Sequence, residues 1–200
     1  MELDLLNNSM GTETLLGIAI GIGLSAACGF RVFVPLLVMN LAVLTGHLHL
    51  SPGFEWIGSD YATVAFVTAT LVEVLAYYIP WLDHVLDLIT SPAAIIAGMV
   101  VTASMVMDIS PFLRWTLAII AGGGTAAIVQ GATVTLRAKS SALTAGTGNV
   151  LVSSVELAGS MITALLAVIV PIVCLVLIAL LCSFVIWKSG RLFFGRTKTK

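Results

Sequence analysis

The chain has 200 residues, of which 59% are hydrophobic and only 10% are charged, and its mean hydropathy is +1.11. Soluble domains carry about 25% charged residues, so this composition excludes an ordinary soluble fold. The formal net charge is −1, and no long basic stretch indicates nucleic-acid binding. The sequence therefore predicts an all-α protein, a polytopic bundle of membrane-spanning helices.

The two ends of the chain differ in charge. Five of the nine basic residues lie in the last thirteen positions, whereas the first thirteen positions hold three acidic residues and no base. Basic residues near spans stay in the cytoplasm, and an amino end without a positive region is not a cleavable signal. We expect a multi-pass protein of the inner (plasma) membrane with both termini cytoplasmic. Its parts are an N-terminal tail (1–13), one transmembrane domain (14–188) and a basic cytoplasmic tail (189–200).

The first apolar segment, 14–44, is longer than the roughly twenty residues that a helix needs to cross a bilayer. Arg31 and Pro35 interrupt it, so we expect a first helix that breaks near Gly29. Its first half carries small residues at every fourth position, a pattern that lets another helix approach closely. These small residues are Gly17, Gly21, Ser25 and Gly29.

The last apolar segment, 155–187, is too long for one span and has Pro171 near its middle. We divide it at this proline, with a single long kinked helix as the alternative. Six crossings then place Arg137, Lys139 and the basic tail on one side and the loop 46–60, which has no Lys or Arg, on the other. The predicted spans are 14–44, 61–79, 92–107, 111–131, 155–169 and 171–187.

Six spans also allow internal symmetry. Three spans per half would relate the halves by inversion in the membrane, as in many secondary transporters. Residues 23–27 and 124–127 share a short Gly/Ala-rich pattern, and with six spans this pattern predicts a 3+3 inverted repeat.

The stretch 73–92, EVLAYYIPWLDHVLDLITSP, concentrates acidic residues between two apolar segments. Asp83 and Asp87 are four residues apart, so they would share one face of a short interfacial helix. Glu73 lies upstream, within the second span. The Ser-Pro pair at 91–92 has the pattern of a helix start, so we expect the third span to begin there.

Charged residues inside or beside the spans are the candidates for function. An ionisable group at the centre of a membrane helix costs about 2.5–3.5 kcal/mol, so such groups are normally paired or functional. Two bases cannot neutralise four acids, and at least two carboxylates would remain to carry a proton or bind a cation. These candidates are Arg31, Glu73, Asp83, Asp87, Arg137 and Glu156. No catalytic residue, cofactor-binding residue or metal ligand is assigned.

Three classes of function are open. The favoured class is a small transporter or channel that couples to protons or cations and carries an unknown small ion or molecule. The first alternative is a membrane scaffold or assembly protein that uses the stripes of small residues to bind other helices. In a purely structural interpretation of the charges, the two aspartates lie on a solvated interfacial helix and Arg31 pairs with Glu156. The second alternative is a membrane enzyme that acts on lipid head groups or phosphates with a divalent metal at the aspartates. The sequence disfavours it, because a nucleophile with a base, HExxH and a phosphate loop are all missing.

The expected partners follow from these classes. They are the lipid bilayer, a small ion or small-molecule substrate and, through the stripe of small residues, a second copy in a homodimer.

Several motifs occur in a fixed order along nearly the whole chain. They are GLSAACGFRVFVPLL (23–37), E-x-x-A-x-x-x-P-x-x-D-x-x-x-D (73–87), the region of Pro92 and Gly98, the glycines 122–124, Arg137, Asn149, Ser153 and Glu156. This order resembles the bacterial membrane family known as domain of unknown function 4126. The resemblance adds Asn149 to the candidate residues for an ion or substrate, and it implies no established activity.

The chain departs from that family's pattern at several charged positions. The family has an Asp-Lys pair where this chain has Tyr77 and Tyr78, and a His and a Lys where it has Gln130 and Thr133. An acidic residue of the family is replaced by Leu157. We therefore expect a charge-depleted member of the family, which lacks the groups that a mechanism based on those charges would need.

Overall fold

The computed structural model describes residues 2–77, 79, 82–144 and 147–194, and for 2–10, 82–85 and 192–194 it describes the backbone only. Within these ranges the regular structure is entirely helical, so the predicted all-α class is confirmed. A 3₁₀ turn (Glu55–Gly58) precedes α3, and a π-helical segment (Ala118–Gly123) joins α5 to α6. The α-helices are α1 (Glu2–Phe30), α2 (Phe33–Leu44), α3 (Asp60–Ala76), α4 (Leu82–Met105), α5 (Pro111–Leu117), α6 (Gly124–Thr144), α7 (Asn149–Ile169) and α8 (Pro171–Phe194).

Five of the described segments are long and apolar enough to cross a membrane. The chain is therefore a multi-pass membrane protein. Two further helices are shorter: α2 has 12 residues and α3 has 17, or about 18 and 26 Å at about 1.5 Å per residue. The five long segments are Gly11–Phe30, Leu86–Met105, Pro111–Thr144, Asn149–Ile169 and Pro171–Arg191.

Helix α1 lies at the centre of the bundle and packs against α4, α6, α7 and α8. Its small residues allow this. A Cβ added at Gly21 would lie 3.0 Å from the Cα of Thr102 on α4, and one added at Gly29 would lie 2.6 Å from the Cβ of Val129 on α6. The stripe of small residues therefore does allow close helix packing, and it does so within this chain.

The segment predicted as one broken span forms two helices that run in opposite directions. The break lies at Arg31 and Val32, close to the predicted position, and the missing Cβ of Gly29 just before it makes room for α6. Helix α2 runs back towards the start of α1, since Met39 accepts a hydrogen bond from Ser104, at 3.6 Å, near the end of α4 that faces the start of α1. The carboxylate of Glu73 on α3 caps the start of α2, and this contact stabilises the reversal of the chain.

Helix α4 corrects a second prediction. A separate acidic helix and a third span that begins at Pro92 were expected, but one helix, Leu82–Met105, runs through this proline. The Ser91 hydroxyl does not cap a helix start and instead donates to the backbone oxygen of Asp87 at 2.6 Å. An interior proline costs about 3 kcal/mol. Tertiary packing offsets this cost, because Thr90 and Ala94 are buried on either side of it.

The last apolar segment divides at the predicted proline. Helix α7 ends at Ile169, Val170 has φ −136° and ψ 68°, and α8 begins at Pro171. Cys174 then lies beside Gly23 of α1, and the later part of α8 runs along α6. The two helices therefore form a hairpin and not a single kinked helix.

The start of α1 and the end of α8 lie at opposite ends of the bundle. Thr14 donates to the backbone oxygen of Met107 at 3.5 Å, whereas Lys188 lies beside Lys139 near the other end of α6. The six-span prediction placed both termini on one side. The prediction counted residues 14–44 as one crossing, whereas α1 and α2 run in opposite directions and form two, so the two ends of the chain lie at opposite ends of the bundle.

Candidate functional site

Arg137 on α6 lies at the centre of a buried group of charged side chains. Its Nε donates to Glu156 Oε1 at 2.9 Å, and its Nη2 donates to the second oxygen of the same carboxylate. Its Nη1 donates to Asp87 Oδ1 at 3.0 Å. Such a two-bond contact between a guanidinium and a carboxylate is strong and directional. Arg137 thereby links α6 to Glu156 of α7 and to Asp87 of α4.

Tyr77, just after α3, lies between two guanidinium groups. Its ring centroid is 4.0 Å from Cζ of Arg31 and 3.9 Å from Cζ of Arg137. Its hydroxyl donates to Asp87 Oδ1 at 3.2 Å and is 2.9 Å from the Thr90 hydroxyl. A desolvated cation–π contact contributes about 2 kcal/mol, so one ring stabilises both cations while it separates them.

Glu73 on α3 caps helix α2. Its Oε1 accepts from the backbone N–H of Val32 at 2.8 Å, and its Oε2 accepts from that of Phe33 at 3.1 Å. Val32 itself makes no side-chain cap. The N–H groups at a helix start lack intrahelical partners, and a carboxylate there also interacts favourably with the helix dipole. Glu73 therefore fixes the point at which the chain turns from α1 into α2.

Arg31 is almost completely buried, with 1% of its surface exposed. Its Nη2 donates to the backbone oxygen of Ser153 on α7 at 3.1 Å. The alternative in which Arg31 braces Glu156 is therefore wrong, because Arg137 occupies both oxygens of that carboxylate. We call Arg31, Glu73, Tyr77, Asp87, Arg137 and Glu156 the charged cluster.

Two further candidates are Asn149 and Asp83. The amide of Asn149 donates to the Ser141 hydroxyl at 2.8 Å and joins the end of α6 to the start of α7, so its observed contact is outside the charged cluster. The side chain of Asp83 is outside the described residues, although its backbone belongs to α4. The structure therefore brings five of the seven candidate residues together.

The charged cluster contains two guanidinium groups and three carboxylates, which sum to −1 when all five groups are ionised. At least two carboxylates were expected to lack partners. That expectation is wrong for the three described ones, because Glu73 accepts from two backbone N–H groups and Arg137 serves both Asp87 and Glu156. Among the side chains that the structure describes, no three His, Cys, Asp or Glu residues come together to hold a metal ion.

A groove of about 680 Å³ lies between α3 and α4, beside the charged cluster. Its walls are mainly apolar, and Glu73 and Thr90 are among the few polar residues that line it. This α3–α4 groove places one carboxylate of the cluster next to a space large enough for a small molecule, since ligand pockets measure about 300–1,000 Å³.

Sequence reasoning missed Tyr77, which was interpreted only as the loss of a charged pair. A weak signal for it existed, because Tyr77 follows Glu73 by four residues and such positions share a helix face. No spacing rule indicated that two arginines, 106 positions apart along the chain, would stack on the same ring.

Comparison with known proteins identifies one family. Residues 18–191 match the family described as Domain of unknown function (DUF4126). No curated protein matches the chain, and no solved structure matches it.

Proposed function

We propose a function from the charged cluster itself, because the chain belongs to the DUF4126 family, a domain of unknown function whose description assigns no activity. The protein is a small transporter or channel in which the cluster couples movement of a substrate to a proton or another small cation. The observation that carries this proposal is the charge of the described groups of the cluster: two buried bases lie with three carboxylates.

Uptake of one proton would make the cluster neutral. Buried charge in a membrane costs about 2.5–3.5 kcal/mol per group at the helix centre, so an uncompensated negative charge favours binding a cation. Arg137 is shared between Asp87 and Glu156. Protonation of either carboxylate would weaken one of these bonds and allow the guanidinium to shift towards the other. The shared arginine thus gives the cluster two charge states with different geometries.

The α3–α4 groove supports a route to the cluster. Glu73 lines this groove and also holds the start of α2. A cation that reached Glu73 would compete with the two N–H groups for its carboxylate and loosen the turn between α1 and α2. Binding in the groove would in this way act on helix α1 at the centre of the bundle.

The scaffold alternative rests on a different observation. Each described carboxylate of the cluster already has partners within the bundle, as expected of a structural brace. Under that alternative the cluster holds α3, α4, α6 and α7 together and moves no ion.

Flux in proteoliposomes under an imposed pH gradient tests these two functions. We expect proton flux in the wild type and at least a tenfold loss in Glu73→Gln and Asp87→Asn. The control is Glu55→Gln, because Glu55 lies in the 3₁₀ turn before α3, far from the cluster. Its carboxyl is exposed, and hydrogen bonds from the backbone N–H groups of Glu55 and Gly53 lower its pKa. Absence of flux for protons and for a panel of cations, with correctly folded variants, would refute transport and favour the scaffold.

A further inference from the structure

A second groove lies on the outer surface of the bundle, between α6 and α8. Its volume is about 770 Å³, and its walls come from residues 127–139 and 184–190. Along most of its length the lining is apolar, with Ile128, Leu136 and Phe184 as its larger side chains. We call it the α6–α8 groove. It is separate from the charged cluster, which uses the opposite, inward face of α6.

One end of this groove is basic. Lys139 from α6 and Lys188 from α8 both line it, together with Thr135 and Ser189. The ammonium nitrogen of Lys188 is 5.6 Å from the ring centroid of Phe184, so the lysine side chain lies along the groove wall. Among the described residues, no acidic side chain lines the groove, and both lysines face it without a carboxylate in its lining.

A glycine keeps the groove open. Gly131 lies in its wall, and a Cβ added there would meet no atom within 4 Å. The glycine is therefore not required for close helix packing, unlike those of α1. Its absent side chain leaves room for a foreign group against the backbone of α6.

We propose that the α6–α8 groove binds one anionic phospholipid, with its phosphate between Lys139 and Lys188 and an acyl chain along the apolar walls. Basic pockets between membrane helices on the cytoplasmic side bind anionic head groups, and each nearby base contributes about 1 kcal/mol. A zwitterionic lipid also offers a phosphate, but its own ammonium group would lie close to the two lysines and offset much of the attraction. Free phosphate would leave the apolar walls uncovered. A partner helix with no acidic residue at this point would bury both ammonium groups without a counter-charge. This inference does not depend on transport.

Native mass spectrometry of the purified full chain, titrated with phosphatidylglycerol or phosphatidylcholine, measures the binding. We expect the first phosphatidylglycerol to bind at least tenfold more tightly than phosphatidylcholine. Loss of one lysine should weaken its binding about fivefold, and Lys139→Gln/Lys188→Gln about thirtyfold, at about 1 kcal/mol per base. Lys139→Arg should retain the binding, because the charge remains.

Two further variants test the apolar part of the site. Gly131→Leu should weaken binding of both lipids, because the new side chain fills the groove. Gly124→Leu is the control, because Gly124 also has open space around it but does not line the groove, and this variant should not weaken binding. Arg191→Gln, which removes a base near Trp187 outside the groove, should leave the preference unchanged.

Three results would overturn the proposal. The first is equal affinity for the two lipids. The second is an unchanged preference for phosphatidylglycerol in the double lysine variant. The third is that millimolar inorganic phosphate competes fully while Gly131→Leu has no effect. The last result would indicate an anion site that does not hold a lipid. Circular dichroism and a monodisperse elution profile confirm that each variant is folded.

Discussion

Replacement of Arg137 by methionine is the most severe test of the charged cluster. Methionine fills much of the volume of the arginine side chain but offers no N–H group and no charge. The variant would leave Glu156 buried without its two hydrogen bonds, and Asp87 would retain only the hydroxyl of Tyr77 among the contacts described above.

The size of the effect follows from burial. The side chain of Glu156 is 3% exposed and that of Asp87 is 18% exposed. Removal of one partner from a buried ion pair costs about 3–5 kcal/mol, because the other charge remains without compensation. We therefore expect Arg137→Met to lower the free energy of unfolding by that amount, mainly through Glu156.

A double-mutant cycle separates the ion pair from other effects of the substitution. Replacement of both members by apolar residues is often nearly neutral, so Arg137→Met/Glu156→Met should recover about 2–3 kcal/mol relative to the single variant. Asp87 limits the recovery, because it still lacks its guanidinium. The free energies come from titration of the purified protein with sodium dodecyl sulfate in mixed micelles, followed by circular dichroism.

The control is Arg191→Met, because Arg191 is exposed and contacts only Trp187 among the interactions described for it. Exposed substitutions typically change stability by less than about 0.5 kcal/mol. Additive effects of the two substitutions in the cluster, or a cost of Arg137→Met below about 1 kcal/mol, would show that the guanidinium does not stabilise the buried carboxylates.

Two further substitutions can be measured by the same titration. Tyr77→Phe should lower the free energy of unfolding by about 1 kcal/mol, because the hydroxyl bonds are lost while the ring remains between the guanidinium groups. Tyr77→Leu should lower it by about 2 kcal/mol more, because the ring is lost as well. Equal costs would show that the ring has no special role. Gly17→Ala places a methyl group against the backbone of Met105 and should cost about 1–3 kcal/mol. Gly124→Ala, which meets nothing within 4 Å, should be neutral or stabilising by up to about 1 kcal/mol, and equal effects of these two alanines would contradict the close packing of α1.

Composition and periodicity predicted the class of the fold and much of the helix packing. Membrane helices must satisfy every backbone group internally, so a hydrophobic chain of this length has few other folds. The four-residue spacing that begins at Gly17 correctly indicated a helix that others approach closely, because this signal is local to one helix. The break near Arg31 was also local, since a charge and a proline interrupt an apolar run.

The reversal after α1 could not be predicted in the same way. It depends on Glu73, which lies about forty positions along the chain from the N–H groups that it accepts from. The helix start expected at Pro92 failed for a related reason. A serine followed by proline fits both a cap and a helix interior, and the packing of Thr90 and Ala94 decides between them.

The return of the chain through α2 also changes how the charges relate to the membrane. Lys139 and Lys188 lie at one end of the bundle, and the base-free loop 46–60 lies at the other, where Ser51 N–H donates to Ser104 O at 2.7 Å. The acidic start of the chain, which the six-span scheme kept in the cytoplasm, lies at this second end. The positive-inside rule would be met with the basic end on the cytoplasmic side, because this end carries Lys139 and Lys188 and the opposite loop carries no base. Since Arg137 is two residues from Lys139, the charged cluster lies towards the basic end of the bundle.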